Sequence, residues 1–228
     1  MFSLGWSDYS HYFRNDKLKA VFSHSSLVLG NKQDRQRFAS LVGLNPSKLI
    51  IPKQVHSTNV SVIDKSGYQR NLDGIFSANT DLVCSIQVAD CLPLFFVHDY
   101  KPVIGLVHAG WRGLAQGIIQ NIKNELYQIT ENVCDFQILI GPSIQSCCFE
   151  VRDDVLVQID PDYFRKKKSG SYEVDLQKWA VKQLLEIGSK EEKITIIKEC
   201  TYCRDKKFHS YRRDGNKAGR MIALIGWI

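Results

Sequence analysis

Two histidines and one cysteine stand in segments whose residue types suit catalysis: Gln54-Val55-His56-Ser57, Val88-Ala89-Asp90-Cys91-Leu92-Pro93 and Val107-His108-Ala109-Gly110-Trp111-Arg112-Gly113. Two imidazole nitrogens and one thiolate, arriving from separate strand ends, match a zinc or copper site that keeps a coordination position open for water or substrate. Such an open position means catalysis. The same side chains also read as a nucleophilic pair, with Cys91 as thiolate, His108 or His56 as its base, and Asp90 orienting a histidine. In the plainest reading Cys91 is a small buried hydrophobe and the histidines are hydrogen-bonded turn residues. Spacing alone favours the plainest reading, because no short metal motif ties His56 to Cys91.

Four other thiols offer a rival metal site. Cys200-Thr201-Tyr202-Cys203 is a CxxC pair, to which Cys147-Cys148 would add two ligands. Adjacent cysteines make awkward ligands, and ordinary packing is the simpler reading. Anion-binding candidates lie nearby. Gly110 to Gly113 precede a predicted helix, where backbone N–H groups and the helix dipole hold phosphate and Arg112 adds a charged fork. Arg212 and Arg213, beside the Asp214-Gly215 turn, form a second candidate grip. The densest basic run, Arg165 to Lys168, has no interleaved aromatics and reads as a solvated loop.

These residues need elements to position them. Between Leu49 and Ile63 a β-branched run is broken by His56-Ser57-Thr58-Asn59 into two short strands, which puts His56 at a strand end or turn. Further β-rich runs cover Asp81–Gln87, Leu92–Val97 and Val103–His108, the last two joined by a hairpin turn through His98–Pro102. Cys91 and His108 then fall at opposite ends of that pair. From Gly113, Leu114, Ile118, Ile122 and Leu126 keep helical spacing along one buried face. A strand at Phe136–Ile140, a helix capped by Asp175 and stopped at Gly188, and strands at Ile194–Ile197 and Met221–Trp227 complete the chain. Hairpin-like strands with irregularly interspersed helices predict a mixed α+β layered fold over a doubly wound parallel sheet.

The chain has 228 residues, 44% hydrophobic and 24% charged, which supports a substantial core and excludes disorder. No repeat or low-complexity linker divides residues 1–228, so a single domain is expected. Seven cysteines are too few for a disulfide scaffold and their odd number leaves a thiol unpaired. With no basic leader or apolar run at its start, the protein is expected in the cytoplasm. Its apolar stretches are interrupted by Gln87, Asp90 and His98 before they reach membrane-spanning length, so no membrane partner is expected. The net charge of +6 suits phosphate or nucleotides as well as nucleic acid, but the missing aromatic interleaving argues against nucleic acid.

Taken in order, Gln54-Val55-His56, Asp73-Gly74-Ile75, Ala89-Asp90-Cys91-Leu92-Pro93, Val107 to Gly113, Ile140-Gly141-Pro142-Ser143-Ile144 and Ser210 to Gly215 resemble the YfiH family. Its members were once labelled laccase-domain multicopper polyphenol oxidases, are also called peptidoglycan editing factor, and are now regarded as purine nucleoside phosphorylases. The resemblance runs from about Ile51 to Trp227. It implies that His56, Cys91 and His108 are metal ligands and catalytic residues for zinc or copper. It also implies a layered α/β/β/α fold similar to cytotoxic necrotizing factor catalytic domains. The implied substrates are purine nucleosides and phosphate, with adenosine deamination as a second activity. Gln54, Asp90, Arg112, Arg212 and Arg213 are the candidate contacts to substrate or phosphate. Near the start the family's Thr-Arg pair is missing. Arg14 does not align with its arginine, and Val28-Leu29-Gly30 stands as a remnant of its Asn-Leu-Gly.

A cysteine amidase acting on peptidoglycan-like amides, a copper phenol oxidase and a non-enzymatic cell-wall partner are the rival functions. Six histidines cannot furnish a conventional multicopper cluster, which counts against the oxidase.

Overall fold

A computed structural model describes residues 5–27, 32–129 and 131–228. The Val28–Gly30 remnant therefore lies outside the described residues. In chain order the strands are β1 Trp6–Asp8, β2 Leu18–Ser23, β3 Leu49–Pro52, β4 Val60–Val62, β5 Gly67–Gln69, β6 Gly74–Ser77, β7 Val83–Val88, β8 Leu92–His98, β9 Ile104–Ala109, β10 Phe136–Ile140, β11 Glu150–Val151, β12 Phe164–Lys166, β13 Tyr172–Val174, β14 Ile194–Ile196 and β15 Met221–Trp227. The helices are α1 Lys32–Leu41, α2 Trp111–Gln116, α3 Ile118–Gln128, α4 Asp153–Leu156, α5 Leu176–Glu186 and α6 Tyr211–Asp214.

Two six-stranded sheets carry the fold, in the orders β1-β2-β15-β7-β3-β5 and β14-β10-β8-β9-β6-β4. Both mix parallel and antiparallel pairs: β3 runs parallel to β7 and β5, while β15 runs antiparallel to β2 and β7. Alternation along single strands explains the layers. On β15, Met221, Ala223 and Ile225 face the second sheet, whereas Ile222 and Leu224 meet Phe38 and Ala39 of α1. On β8, Phe95 and Val97 enter the space between the sheets, whereas Leu92, Leu94 and Phe96 meet α3 and α5. Successive residues of one strand thus feed two different apolar layers, which is why the central strands read as unbroken hydrophobic runs. The result is helix, sheet, sheet, helix, as expected.

The strand expectations hold within a residue or two, including the β8–β9 hairpin, but its antiparallel register pairs Leu92 with Ala109 and so brings Cys91 and His108 to the same end of the pair, not to opposite ends. Asp175 caps α5 by accepting from the Lys178 N–H at 2.9 Å. Three other expectations change. The helix expected to run unbroken from Gly113 is two helices, because Gly117 takes a left-handed φ of 92° and redirects the axis. The basic run is partly strand: β12 ends at Lys166, Arg165 pairs with Glu173, and Lys167 binds Glu150. Finally, β7 and β8 are sequence neighbours but lie in different sheets. The chain changes sheet at Ala89-Asp90-Cys91, as it also does between β3 and β4 through Lys53–Asn59. Those two crossings carry Cys91 and His56.

Gly105 shows how tightly the second sheet is built. It pairs with Phe76 on one side and Phe96 on the other, and a Cβ there would lie 2.4 Å from the Phe76 ring. Gly105→Ala forces a buried ring to move. It should destabilise the protein by about 1–3 kcal/mol in denaturant titration, the usual range for overpacking.

Candidate active site

Asp73 begins the site from below. It is fully buried at the entry to β6, and its carboxylate accepts five hydrogen bonds: from the backbone N–H groups of Val55, His56 and Ser57 (3.2, 3.1 and 2.7 Å), from the Ser57 hydroxyl (2.7 Å) and from His108 Nδ1 (2.8 Å). Burial opposes its charge, but His108 and Ser57 together hold its pKa down at about 2. An ionised carboxylate only accepts, so His108 carries a proton on Nδ1, and Nε2 is the nitrogen available to a metal. The same carboxylate fixes the three-residue turn that carries His56, whose φ of 58° is left-handed.

Three side chains converge there. The donor atoms of His56, Cys91 and His108 lie within 4.8 Å of one another, with His108 buried, Cys91 half-buried and His56 exposed. The imidazoles meet edge to face with centroids 4.7 Å apart, and a ring nitrogen of each lies within 4.8 Å of the Cys91 sulfur. Burial works against ionising Cys91, and the two histidines more than offset it, so the thiol pKa is lowered. Burial also opposes charge on His108, and Cys91 with Asp73 outweighs that opposition and raises its pKa. Gly110 closes the cluster from above: a Cβ there would lie 2.9 Å from Cys91 Sγ and 3.5 Å from the His56 ring. Two nitrogens and a sulfur around a common point, with a carboxylate behind one histidine and one exposed side, fit an open zinc or copper site.

The cluster lies in a cavity of about 870 Å³, a size that accommodates a small organic ligand. Four guanidinium groups reach it, from Arg35, Arg112, Arg212 and Arg220, and aromatic side chains including Tyr68, Trp111 and Phe149 line it. Arg112 is exposed and stacks 4.5 Å over Trp111. Arg212 lies 5.1 Å over Phe149 and donates from Nη1 to the Glu150 carbonyl at 2.6 Å.

Other expected contacts are placed differently. Asp90 lines the cavity, but its own backbone turn and both carboxylate oxygens belong to the scaffold. It has a φ of 84°, and it accepts from the Thr201 hydroxyl (2.6 Å), the Ser210 hydroxyl (3.0 Å) and the Arg212 N–H (2.7 Å). The carboxylate that orients a histidine is Asp73. Gln54 also borders the cavity and clamps the Gln87 backbone, accepting from its N–H and donating to its carbonyl, both at 2.7 Å. Arg213 is not among the lining residues. Its guanidinium binds Asp214 through two nitrogens and donates to the carbonyls of Thr201, Tyr202 and Phe208. The phosphate grip expected of it is therefore spent on holding its own loop together. Arg14 lines a separate cavity beside Asp99 and Gln137.

Arg35, Arg220, Tyr68 and Asp73 were not singled out from the sequence as site residues. Arg35 is nearly buried, donates to Ser85 (2.9 Å to Oγ, 3.1 Å to the carbonyl), and burial lowers its pKa to about 10. Nothing local in α1 marks it. For Asp73 the one available signal was its place in the Asp73-Gly74-Ile75 segment.

Because Asp73 sets both the His108 tautomer and the His56 turn, Asp73→Asn should weaken metal binding about 10–100-fold, the usual effect of losing such a carboxylate. Competition against a chelator reads this directly, and a thermal melt shows whether the fold survives.

Comparison with known proteins gives a consistent assignment. A family profile described as multi-copper polyphenol oxidoreductase laccase matches residues 29–228. "Purine nucleoside phosphorylase YlmD" of Geobacillus stearothermophilus is 32% identical over 212 residues, covering 85% of this chain and 77% of that protein. The crystal structure of YlmD from that species superposes with a TM-score of 0.85 at 26% identity, covering 93% of this chain and 92% of the other. A "purine nucleoside phosphorylase" of Aquifex aeolicus is 33% identical over 201 residues, covering 86% of this chain and 90% of that protein. "Adenosine deaminase RL5", from an unknown prokaryotic organism, is 29% identical over 208 residues, covering 84% and 79%. The chain belongs to the YfiH family of laccase-like proteins.

Proposed function

We propose that the protein is a metal-dependent purine nucleoside phosphorylase, acting on adenosine, inosine or methylthioadenosine, with adenosine deamination as a second activity at the same site. The observation that carries this reading is one cavity of about 870 Å³ that joins the His56, Cys91 and His108 donors to aromatic faces and four guanidinium groups. A purine needs flat apolar faces, phosphate needs charge-assisted donors, and both are within reach of the same cluster. The relatives' names supply the substrate class.

In phosphorolysis a phosphate oxygen attacks the anomeric carbon, the bond to the base nitrogen breaks, and base and ribose 1-phosphate leave. Positive charge grows on the sugar as the bond breaks, so holding an anion close to it lowers the barrier. Arg112 and Arg220 are suited to that anion, since neither guanidinium is fully engaged by the chain: Arg112 stacks on Trp111, and Arg220 donates from a single nitrogen to the Ala218 and Gly219 carbonyls. Arg212, braced by Phe149 and the Glu150 carbonyl, presents a guanidinium of fixed orientation. Tyr68 and Trp111 offer faces for the purine. His56, Cys91 and His108 would hold zinc or copper, which when bound supplies a water of lowered pKa, about 7 for zinc, as deamination requires.

The cysteine amidase reading keeps one observation in its favour, two imidazoles within 4.8 Å of the Cys91 sulfur, which lower its pKa. Against the phenol oxidase, among the described residues His56 and His108 are the histidines grouped with Cys91 as metal donors.

Purified protein with adenosine or inosine should release base only when inorganic phosphate is present, yielding ribose 1-phosphate by chromatography. Equal release in phosphate-free buffer, giving free ribose, means hydrolysis instead. A covalent adduct at Cys91 in metal-free active protein would transfer the function to a cysteine nucleophile. Arg112→Ala and Arg220→Ala should each raise the KM for phosphate about 10–100-fold, as expected for losing a hydrogen bond to a charged group. Arg213→Ala, by contrast, should lower thermal stability and leave the KM for phosphate nearly unchanged.

A further inference from the structure

Away from the cavity, two loops bring four cysteines together. Cys147 and Cys148 lie in the turn between β10 and β11, and Cys200 and Cys203 in the turn after β14. Their sulfurs all lie within 4.8 Å of one another. Three of the separations are 3.6 Å (Cys147 to Cys148), 3.8 Å (Cys147 to Cys203) and 3.3 Å (Cys148 to Cys203). We propose that Cys147, Cys148, Cys200 and Cys203 form a second, structural metal site that binds one zinc ion through four thiolates.

Three observations support the site. The first is size. Four sulfurs at a Zn–S distance of about 2.3 Å in a tetrahedron are separated by about 3.8 Å along each edge, close to the three separations above and within the 4.8 Å that bounds all six. A multinuclear iron–sulfur cluster puts metal and sulfide between its cysteines and needs a wider cage than this one. The second is exposure. Cys147 and Cys203 are exposed, so apolar packing does not explain why these thiols gather. The third is the backbone. The Cys200 sulfur accepts an N–H hydrogen bond from Gln145, at 3.5 Å. A neutral thiol is a weak acceptor, whereas a thiolate ligand is a good one, and the donor here comes from the loop that carries Cys147 and Cys148.

The site would act as a clip between two loops that both reach the active cavity. Phe149, which follows Cys148, lines the cavity and supports Arg212, and Arg212 also donates to the Cys148 carbonyl at 3.5 Å. Thr201, which follows Cys200, donates to Asp90, the neighbour of Cys91. Apart from the metal, the β-bridge between Ser143 and Cys200 joins the same two loops.

Elemental analysis of protein purified in reducing buffer tests the proposal. Wild type should carry one zinc beyond that held at His56, Cys91 and His108. The His56→Ala/His108→Ala double variant should retain one zinc per chain, with an X-ray absorption spectrum showing sulfur ligands only. Cys147→Ser/Cys203→Ser should lose one equivalent. Should either variant fail to fold, the absorption spectrum of the wild type decides: sulfur must outnumber nitrogen around zinc. No zinc in the double histidine variant, a nitrogen-rich shell, iron in place of zinc, or disulfides among these cysteines in the intact mass would each overturn it.

Discussion

A single buried carboxylate sets the geometry on which the candidate site depends. Asp73 satisfies three consecutive backbone N–H groups of the His56 turn and the Nδ1–H of His108, and so ties together segments that lie in different parts of the sequence. A buried charge without such partners would cost several kcal/mol, so the turn and the histidine have one low-energy arrangement around it. The cost of burying Asp73 is in this way converted into orientation: both imidazoles are placed before any ligand arrives.

Asp90 does for the upper wall what Asp73 does for the floor. Its left-handed backbone carries the chain from one sheet to the other, and its carboxylate collects donors from Thr201, Ser210 and Arg212. The segment that delivers Arg212 to the cavity is thus anchored one residue from Cys91. The two acids are alike in chemistry and in burial, yet they hold different elements. One presents nitrogen donors, the other a guanidinium.

The sandwich leaves its ends open and its faces closed. Helices cover both outer faces, so the loops at a sheet end are where side chains of unlike chemistry can meet without disturbing the core. His56 and Cys91 lie on loops that cross between the sheets, and His108 lies at the end of β9. The arginines come from further away: Arg35 from the helix over the first sheet, and Arg112 from the short helix after β9. A cavity assembled from so many elements combines groups that no single loop supplies.

Hydrophobic runs and turn residues made most of the fold legible in the sequence. β8, β9, β10 and β15 could be read because strands buried on both faces must be apolar throughout, and α5 because Asp175 and Gly188 mark its ends. Ordered segments around His56, Cys91 and His108 were legible as well, since a thiol and two imidazoles are scarce residue types. Pairing order was not, because a strand's composition reports its burial and not its neighbour, so the change of sheet at Asp90 had no local sign. The same limit applied to Asp73 and Asp90, since a carboxylate's role depends on which donors reach it. Arg213 and Arg35 show it most plainly. Sequence drew attention to Arg213 and passed over Arg35, whereas the fold spends Arg213 on its own loop and brings Arg35 to the cavity. Identity and local spacing are properties of the chain. Which polar groups meet is decided only when burial forces each of them to find a partner.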